Sequence, residues 1–131
     1  MRPYRASGTI YVSRFVKVSG TNTIAQAGSG DKVCGVSQQG GMNAPIPSVT
    51  DSPVIAATSG YDCNVFGPGE ECQVEIGSGG CTAGDYLKAG TNGVAVALGN
   101  SGKEFMGAQA LETRNSGELC RVRVITGVSY T

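Results

Sequence analysis

The sequence contains no histidine and no tryptophan. Without histidine the chain cannot form a Ser-His-Asp or Cys-His nucleophile system, and it lacks the commonest metal ligand in proteins. Its five cysteines are spread out without a C-x-x-C pair, which excludes the close ligand spacing of a structural zinc site. We therefore predict that the protein is not an enzyme and that it binds neither a metal nor another cofactor.

Charge is also scarce, because only 15% of the residues are charged and ten basic residues balance ten acidic ones. A disordered chain needs a high net charge and a nucleic-acid-binding domain needs a basic surplus, so neither class fits. No apolar run has the length of a signal peptide or of a membrane span, and we expect intracellular synthesis. The composition therefore predicts neither a nucleic-acid partner nor a membrane partner.

The five cysteines are an odd number, whereas a secreted disulfide framework uses an even one. We interpret them mainly as small buried apolar residues. A bridge between one pair of them stays open at this point.

Short strands and frequent turns fill the sequence instead. Runs rich in β-branched and aromatic residues predict strands, and clusters of glycine, proline, serine and asparagine separate them. A helix is the alternative for residues 104–115, where apolar residues also fall at helical spacing, although a strand is favoured there. The predicted strands lie within residues 9–18, 31–37, 54–57, 72–76, 94–98, 103–108 and 119–126.

The clearest alternation occurs in ELCRVRVIT, residues 118–126. Successive side chains of a strand point to opposite faces, so Cys120, Val122 and Val124 share one face. We predict that this face packs against the core. Arg121 and Arg123 then point to solvent or to a partner.

Two stretches of the chain resemble each other. GTNTIAQAGSGDKVCG begins at Gly20 and GTNGVAVALGNSGKEFMG begins at Gly90, while GEECQVEI at 69–76 resembles GELCRVRV at 117–124. The shared order predicts two similar β half-units, about 20–77 and 90–127, with a loop insertion at about 40–60. We predict an all-β protein with little helix, either a small β-barrel or a sandwich. Residues 1–19 form an arm and a first strand, and residues 20–131 a single β domain.

Function is expected where the half-units differ, in the N-terminal arm and in the inserted loop. Arginine and tyrosine are favoured at protein interfaces, and prolines keep the inserted loop at the surface. A chain lacking residues 1–8 is expected to stay folded but to attach more weakly to its partner. The predicted interface residues are Arg2, Pro3, Tyr4, Arg5, Tyr11 and Arg14 in the first segment, and Met42, Pro45, Ile46 and Pro47 in the loop.

The succession GDKVCGVS, GEECQVEIGSGGCTAGDYLKAGTNG, KEFMGAQALE and GELCRVRV resembles the capsid cement, or head decoration, proteins of tailed bacteriophages. The resemblance covers residues 20–124, and the order of the motifs is more distinctive than any single one. The resemblance identifies only structural turn positions in this sequence, because the family has no catalytic residues. These positions are Gly35, Gly84, Asp85, Gly107 and Gly117.

The resemblance implies a small β-barrel or β-tulip-like fold and a structural virion protein that binds the outer surface of the capsid and stabilises the shell. Its expected partners are the major capsid protein and further copies of itself in a homotrimer. The expected location is the outer capsid surface, after synthesis in the cytoplasm of the bacterial host.

Two other classes remain as alternatives. One is a carrier domain of the biotinyl or lipoyl type, which needs an exposed lysine at a hairpin tip; Lys88 is the candidate. The other is a carbohydrate-binding or adhesin module, which needs a platform of aromatic side chains.

Overall fold

The structure is a computed structural model, and it describes residues 2–38, 55–99 and 104–129. Within these ranges the regular secondary structure consists of β-strands, apart from a short 3-10 turn at Thr91–Gly93. The all-β prediction with little helix is therefore confirmed. The strands are β1 (Arg2–Ala6), β2 (Ile10–Tyr11), β3 (Phe15–Gly20), β4 (Thr23–Gln26), β5 (Gly35–Ser37), β6 (Ile55–Ala57), β7 (Asp62–Phe66), β8 (Glu71–Glu75), β9 (Tyr86–Ala89), β10 (Ala95–Ala97), β11 (Glu104–Ala110) and β12 (Leu119–Ser129).

Five strands of the first part of the chain form a closed barrel in the order β1-β4-β3-β5-β7. Strand β1 closes it, because β1 pairs with β7 in antiparallel and with β4 in parallel orientation. The short sheet of β2 and β6 packs beside the barrel and contributes Ile10 and Ala57 to its core. Val16, Ile24 and Cys63 fill the same core and are fully buried.

The remaining strands form a second, five-stranded sheet in the order β10-β9-β11-β12-β8. Cys120, Val122 and Val124 are fully buried in its core, which confirms the face predicted from the alternation in β12. Phe15 and Val36 of the barrel belong to the same core cluster. The sheet and the barrel therefore pack on each other through shared apolar side chains.

Each segment predicted to be a strand contains one, and residues 104–110 form strand β11 rather than a helix. The segment 9–18 is divided into β2 and β3, because Ser13 between them adopts a left-handed backbone with φ of 62°. Four strands of the structure lie outside the predicted segments, namely β1, β4, β7 and β9.

The N-terminal segment is not an extended arm. Residues 2–5 pair with residues 62–65 of β7, and the backbone N–H of Ala6 donates to the carbonyl of Tyr61 at 2.8 Å. The backbone of this segment finds its hydrogen-bond partners inside the barrel and not in a binding partner. The expectation of an extended arm is therefore corrected, and so is the expectation that a chain without residues 1–8 stays folded.

Both Gly-Thr-Asn stretches lie at turns between neighbouring strands. Each connects two antiparallel strands, β3 with β4 and β9 with β10. Asn22 and Asn92 occupy equivalent positions with φ of 56° and 59°, a left-handed conformation that asparagine tolerates better than most residues. The repeat thus encodes two similar hairpin turns.

The two GE-x-C-x-V copies are not placed in separate units. They form β8 and β12, which pair with each other so that Cys72 lies opposite Val122 and Val74 opposite Cys120. The barrel is closed by strands of residues 2–66 alone. The first half-unit, 20–77, therefore contributes strands both to the barrel and to the sheet. The assignment of residues 20–131 to a single domain stays a prediction.

Replacing Gly35 by alanine is expected to destabilise the barrel. A Cβ atom there would lie 2.5 Å from Cγ1 of Val65 and closer still to the carbonyl oxygen of Phe66, which is backbone and cannot rotate away. Overpacking of this kind costs about 1–3 kcal/mol, measurable by urea denaturation. Gly127→Ala is the control, because its Cβ would make only an ordinary contact with Met106 at 3.5 Å. Equal denaturation midpoints for the two variants would contradict the prediction.

Candidate interaction surface

A cleft of about 420 Å³ lies beside strand β1 of the barrel. It brings together Tyr4 and Arg5, both predicted as interface residues, with Asp62 of β7 and the first Gly-Thr-Asn turn. Arg5 and Asp62 lie opposite each other in the β1–β7 pair, and both are exposed. Within residues 2–38, 55–99 and 104–129, neither side chain forms an ion pair. The cleft is lined by Tyr4, Arg5, Thr21, Asn22, Thr23 and Asp62.

Arg14 does not lie on the surface. Only 6% of it is exposed, and its guanidinium donates to Glu75 Oε1 at 3.2 Å and to the carbonyl oxygen of Asn92 at 2.8 Å. The guanidinium also lies 5.5 Å from the centre of the ring of Tyr11, which is half-buried. Arg14 therefore connects the barrel to the five-stranded sheet, and its prediction as an interface residue is corrected.

Six predicted interface residues remain, two in strand β1 and four in the inserted loop. The backbones of Arg2 and Pro3 lie in strand β1 and pair with those of Val65 and Asn64 in β7. Met42, Pro45, Ile46 and Pro47 lie outside the described residues. Their roles stay predictions.

Three of the predicted turn residues lie in turns. Gly84 and Gly117 have φ of 95° and 89°, and Oδ2 of Asp85 accepts a hydrogen bond from the backbone N–H of Thr82 at 2.9 Å. Gly35 and Gly107 instead lie inside β5 and β11. At Gly107 the reason for glycine is packing, because a Cβ atom there would lie 2.7 Å from Cε1 of Phe15.

Lys88 does not have the position that a carrier domain needs. It lies within β9, opposite Val96 of β10, and not at the tip of the hairpin. Its side chain is 26% exposed and forms an ion pair with Glu104, of which only 7% is exposed. The ammonium group is therefore held at the sheet and not presented to an attaching enzyme.

The solvent-facing side of the five-stranded sheet is a second exposed surface, of which the sequence predicted only the arginines of β12. Tyr86, Gln109, Arg123 and Glu71 form a row across four neighbouring strands. Arg123 and Glu71 are joined by an ion pair of 3.0 Å between half-exposed side chains. The alternation in β12 predicts that its arginines face outward. The residues beside Arg123 on the neighbouring strands are known only from the strand pairing.

All five cysteines are free thiols, and four of them are buried, which agrees with their interpretation as small apolar residues. Burial raises the pKa of Cys63 to about 11 and that of Cys72 to about 12, the latter with a smaller contribution from Glu70. These two thiols are therefore protonated at neutral pH.

Among the described residues, no group of three or more histidine, cysteine, aspartate or glutamate side chains is arranged to hold a metal ion. No helix within the same part of the chain is long and apolar enough to cross a membrane.

No protein-family model matches the chain, and no curated protein sequence matches it significantly. The fold, in contrast, is similar to a solved structure, the N base of the head fiber gp8.5 of bacteriophage phi29. The similarity has a TM-score of 0.65 at 20% sequence identity, and it covers 95% of this chain and 92% of the other. At this level of identity the comparison shows a shared fold.

Proposed function

We propose that this protein is a structural component of a bacteriophage head, which binds the outer surface of the capsid and stabilises the shell without catalysing a reaction. The observation that carries the proposal is the similarity in fold to the base of a phage head fiber over nearly the whole length of both chains. The resemblance of residues 20–124 to capsid decoration proteins supports it independently, because that resemblance rests on motif order and not on coordinates.

The physical mechanism is repeated weak binding. A closed icosahedral shell offers many equivalent sites, so a modest contact at each site gives a large total effect. A protein that binds the assembled shell and not the free subunits stabilises the assembled state by mass action. A homotrimer, also proposed, would match sites at which three capsid subunits meet.

The cleft beside β1 is the surface that we assign to the capsid protein. Its arginine and aspartate are exposed and not paired with each other, so each can form a charge-assisted hydrogen bond with a partner. Arginine and tyrosine are also the residue types that contribute most to the affinity of interfaces. The outer face of the sheet is the weaker candidate, because Arg123 is already paired with Glu71.

The proposal is tested by cosedimentation of the purified protein with mature heads and, separately, with free capsid subunits. We expect saturable binding to heads, no binding to subunits, and a higher temperature of head disruption after binding. Heads that bind no protein would contradict the proposal, and so would equal binding to free subunits.

The Arg5→Ala variant is expected to bind heads about tenfold more weakly, because it removes one interface arginine at a cost of about 1–2 kcal/mol. Titration of heads with labelled protein measures the effect, and circular dichroism verifies that the variant is folded. Arg123→Ala is the matched control and is expected to bind as the unmodified protein does. The reverse pattern, with Arg123→Ala weakened and Arg5→Ala unchanged, would move the contact to the outer face of the sheet.

A further inference from the structure

Two cysteines that are distant in sequence lie close together at the edge of the sheet core. The Sγ atoms of Cys81 and Cys120 are 3.7 Å apart, although the residues are separated by 39 positions. Both sulfurs also lie near one acceptor, the carbonyl oxygen of Glu112, at 3.5 Å from Cys81 and 3.4 Å from Cys120. The two thiols therefore point into the same small space.

The backbone holds this arrangement in place. Cys81 forms an isolated bridge with Arg114, and hydrogen bonds of 2.9 and 3.1 Å run in both directions between their backbones. Cys120 lies in β12 between its partners on β8 and the segment that carries Glu112. The two sulfur atoms must approach each other from 3.7 Å to about 2 Å for a disulfide to form.

We propose that Cys81 and Cys120 are a disulfide-forming pair, reduced when the protein is made in a reducing cytoplasm and cross-linked when it meets an oxidant of the low-molecular-weight disulfide class. The inference concerns the chain itself and does not depend on the capsid role.

The chemistry proceeds by two exchanges. The Cys81 thiolate attacks one sulfur of the reagent disulfide; that bond breaks, a mixed disulfide forms, and one reagent thiolate leaves. The Cys120 thiolate then attacks the Cys81 sulfur and displaces the second reagent thiol. In total the two protein thiols lose two protons and two electrons, and the reagent disulfide gains them as two thiols.

Burial determines which cysteine reacts first and how fast the disulfide closes. Cys81 is 7% exposed and follows the exposed turn residues Ser78 and Gly79, whereas Cys120 is fully buried, so the reagent reaches Cys81 first. Burial, with a smaller contribution from the neighbouring Cys81, raises the pKa of Cys120 to about 11. The closing step therefore accelerates as the pH rises, because the attacking species is the thiolate.

The cross-link would join the bridge at Cys81 and Arg114 to strand β12. A disulfide that closes a long segment stabilises mainly by restricting the unfolded chain. We therefore expect the oxidised protein to unfold at a temperature about 5 °C or more above that of the reduced protein.

The test treats the purified full chain with oxidised glutathione at pH 8, followed by alkylation in denaturant and mass spectrometry. We expect the number of alkylated thiols to fall from five to three, and proteolysis to yield a peptide pair joined through Cys81 and Cys120. The rise in unfolding temperature should disappear after reduction.

Cys34→Ser is the matched control, since Cys34 is the half-buried cysteine and lies outside the pair. This variant should still lose two thiols, whereas Cys81→Ser should lose none through an internal bridge. Five alkylated thiols after prolonged oxidation would overturn the proposal, as would glutathione attached at Cys34 without a Cys81–Cys120 peptide. Peptide mapping of the unmodified chain decides the question even if Cys81→Ser does not fold.

Discussion

Deletion of residues 1–8 is expected to unfold the barrel. The deletion removes β1, which pairs with β7 at four positions and with β4 at two, so it leaves two open strand edges. It also exposes core residues such as Ile24 and Cys63, which are fully buried in the intact barrel. The expected loss exceeds about 5 kcal/mol, which is comparable to the entire stability of many domains.

Far-ultraviolet circular dichroism and thermal denaturation measure this effect. The truncated chain should lack the cooperative transition of the intact chain, and hydrogen exchange should be fast in β4 and β7. Arg5→Ala is the control on the same strand, because it removes an exposed side chain and keeps the backbone pairing. A truncated chain with an unchanged transition would show that β1 is dispensable for the barrel, as an arm would be.

Strand β1 was not predicted, because its sequence lacks the usual features of a strand. RPYRA contains a proline and two arginines in five residues and shows no apolar alternation. Its partners are β7, about sixty residues later, and β4, which joins it in parallel. Strand pairing at that separation depends on the closure of the barrel and not on local propensity, so the sequence alone favoured an arm.

Strand β12 shows the opposite case. Its strict alternation of apolar and polar residues placed Cys120, Val122 and Val124 in the core, because a strand with one buried face must have this pattern. The Gly-Thr-Asn turns were also readable, since asparagine at a left-handed position is a local preference. Local patterns were therefore predictable, whereas the pairing of β8 with β12 required the fold.

The candidate site was predicted only in part for the same reason. Tyr4 and Arg5 do line a cleft, but Asp62 joins them from a strand that the sequence did not indicate. Arginine was assigned to the surface by residue type. The burial of Arg14 depends on acceptors that lie 61 and 78 residues away in the chain.

Replacement of Arg14 by methionine is expected to destabilise the protein by about 1.5–3 kcal/mol, because it removes the charged hydrogen bonds of a buried guanidinium. The variant leaves the carboxylate of Glu75, with 33% of its side chain exposed, and the carbonyl of Asn92 without their guanidinium donor. Glu75 lies in β8 and Asn92 in the turn between β9 and β10, so the docking of sheet and barrel should loosen first. Urea denaturation measures the stability, and hydrogen exchange should increase in β8 and at Thr91–Gly93.

The matched control is Arg123→Met, which breaks an ion pair between two half-exposed side chains and should cost at most about 1 kcal/mol. A double-mutant cycle with Glu75→Gln separates the ion pair from packing, because the loss caused by Arg14→Met should shrink once the carboxylate is neutral. If Arg14→Met and Arg123→Met lower the free energy of unfolding equally, the buried Arg14 pair contributes no more to stability than the exposed Arg123 pair. If the losses in the free energy of unfolding caused by Arg14→Met and Glu75→Gln are additive, the two side chains do not stabilise the protein through their charges. The effect of Arg14 would then come from the packing of its aliphatic stem and from its contact with Tyr11.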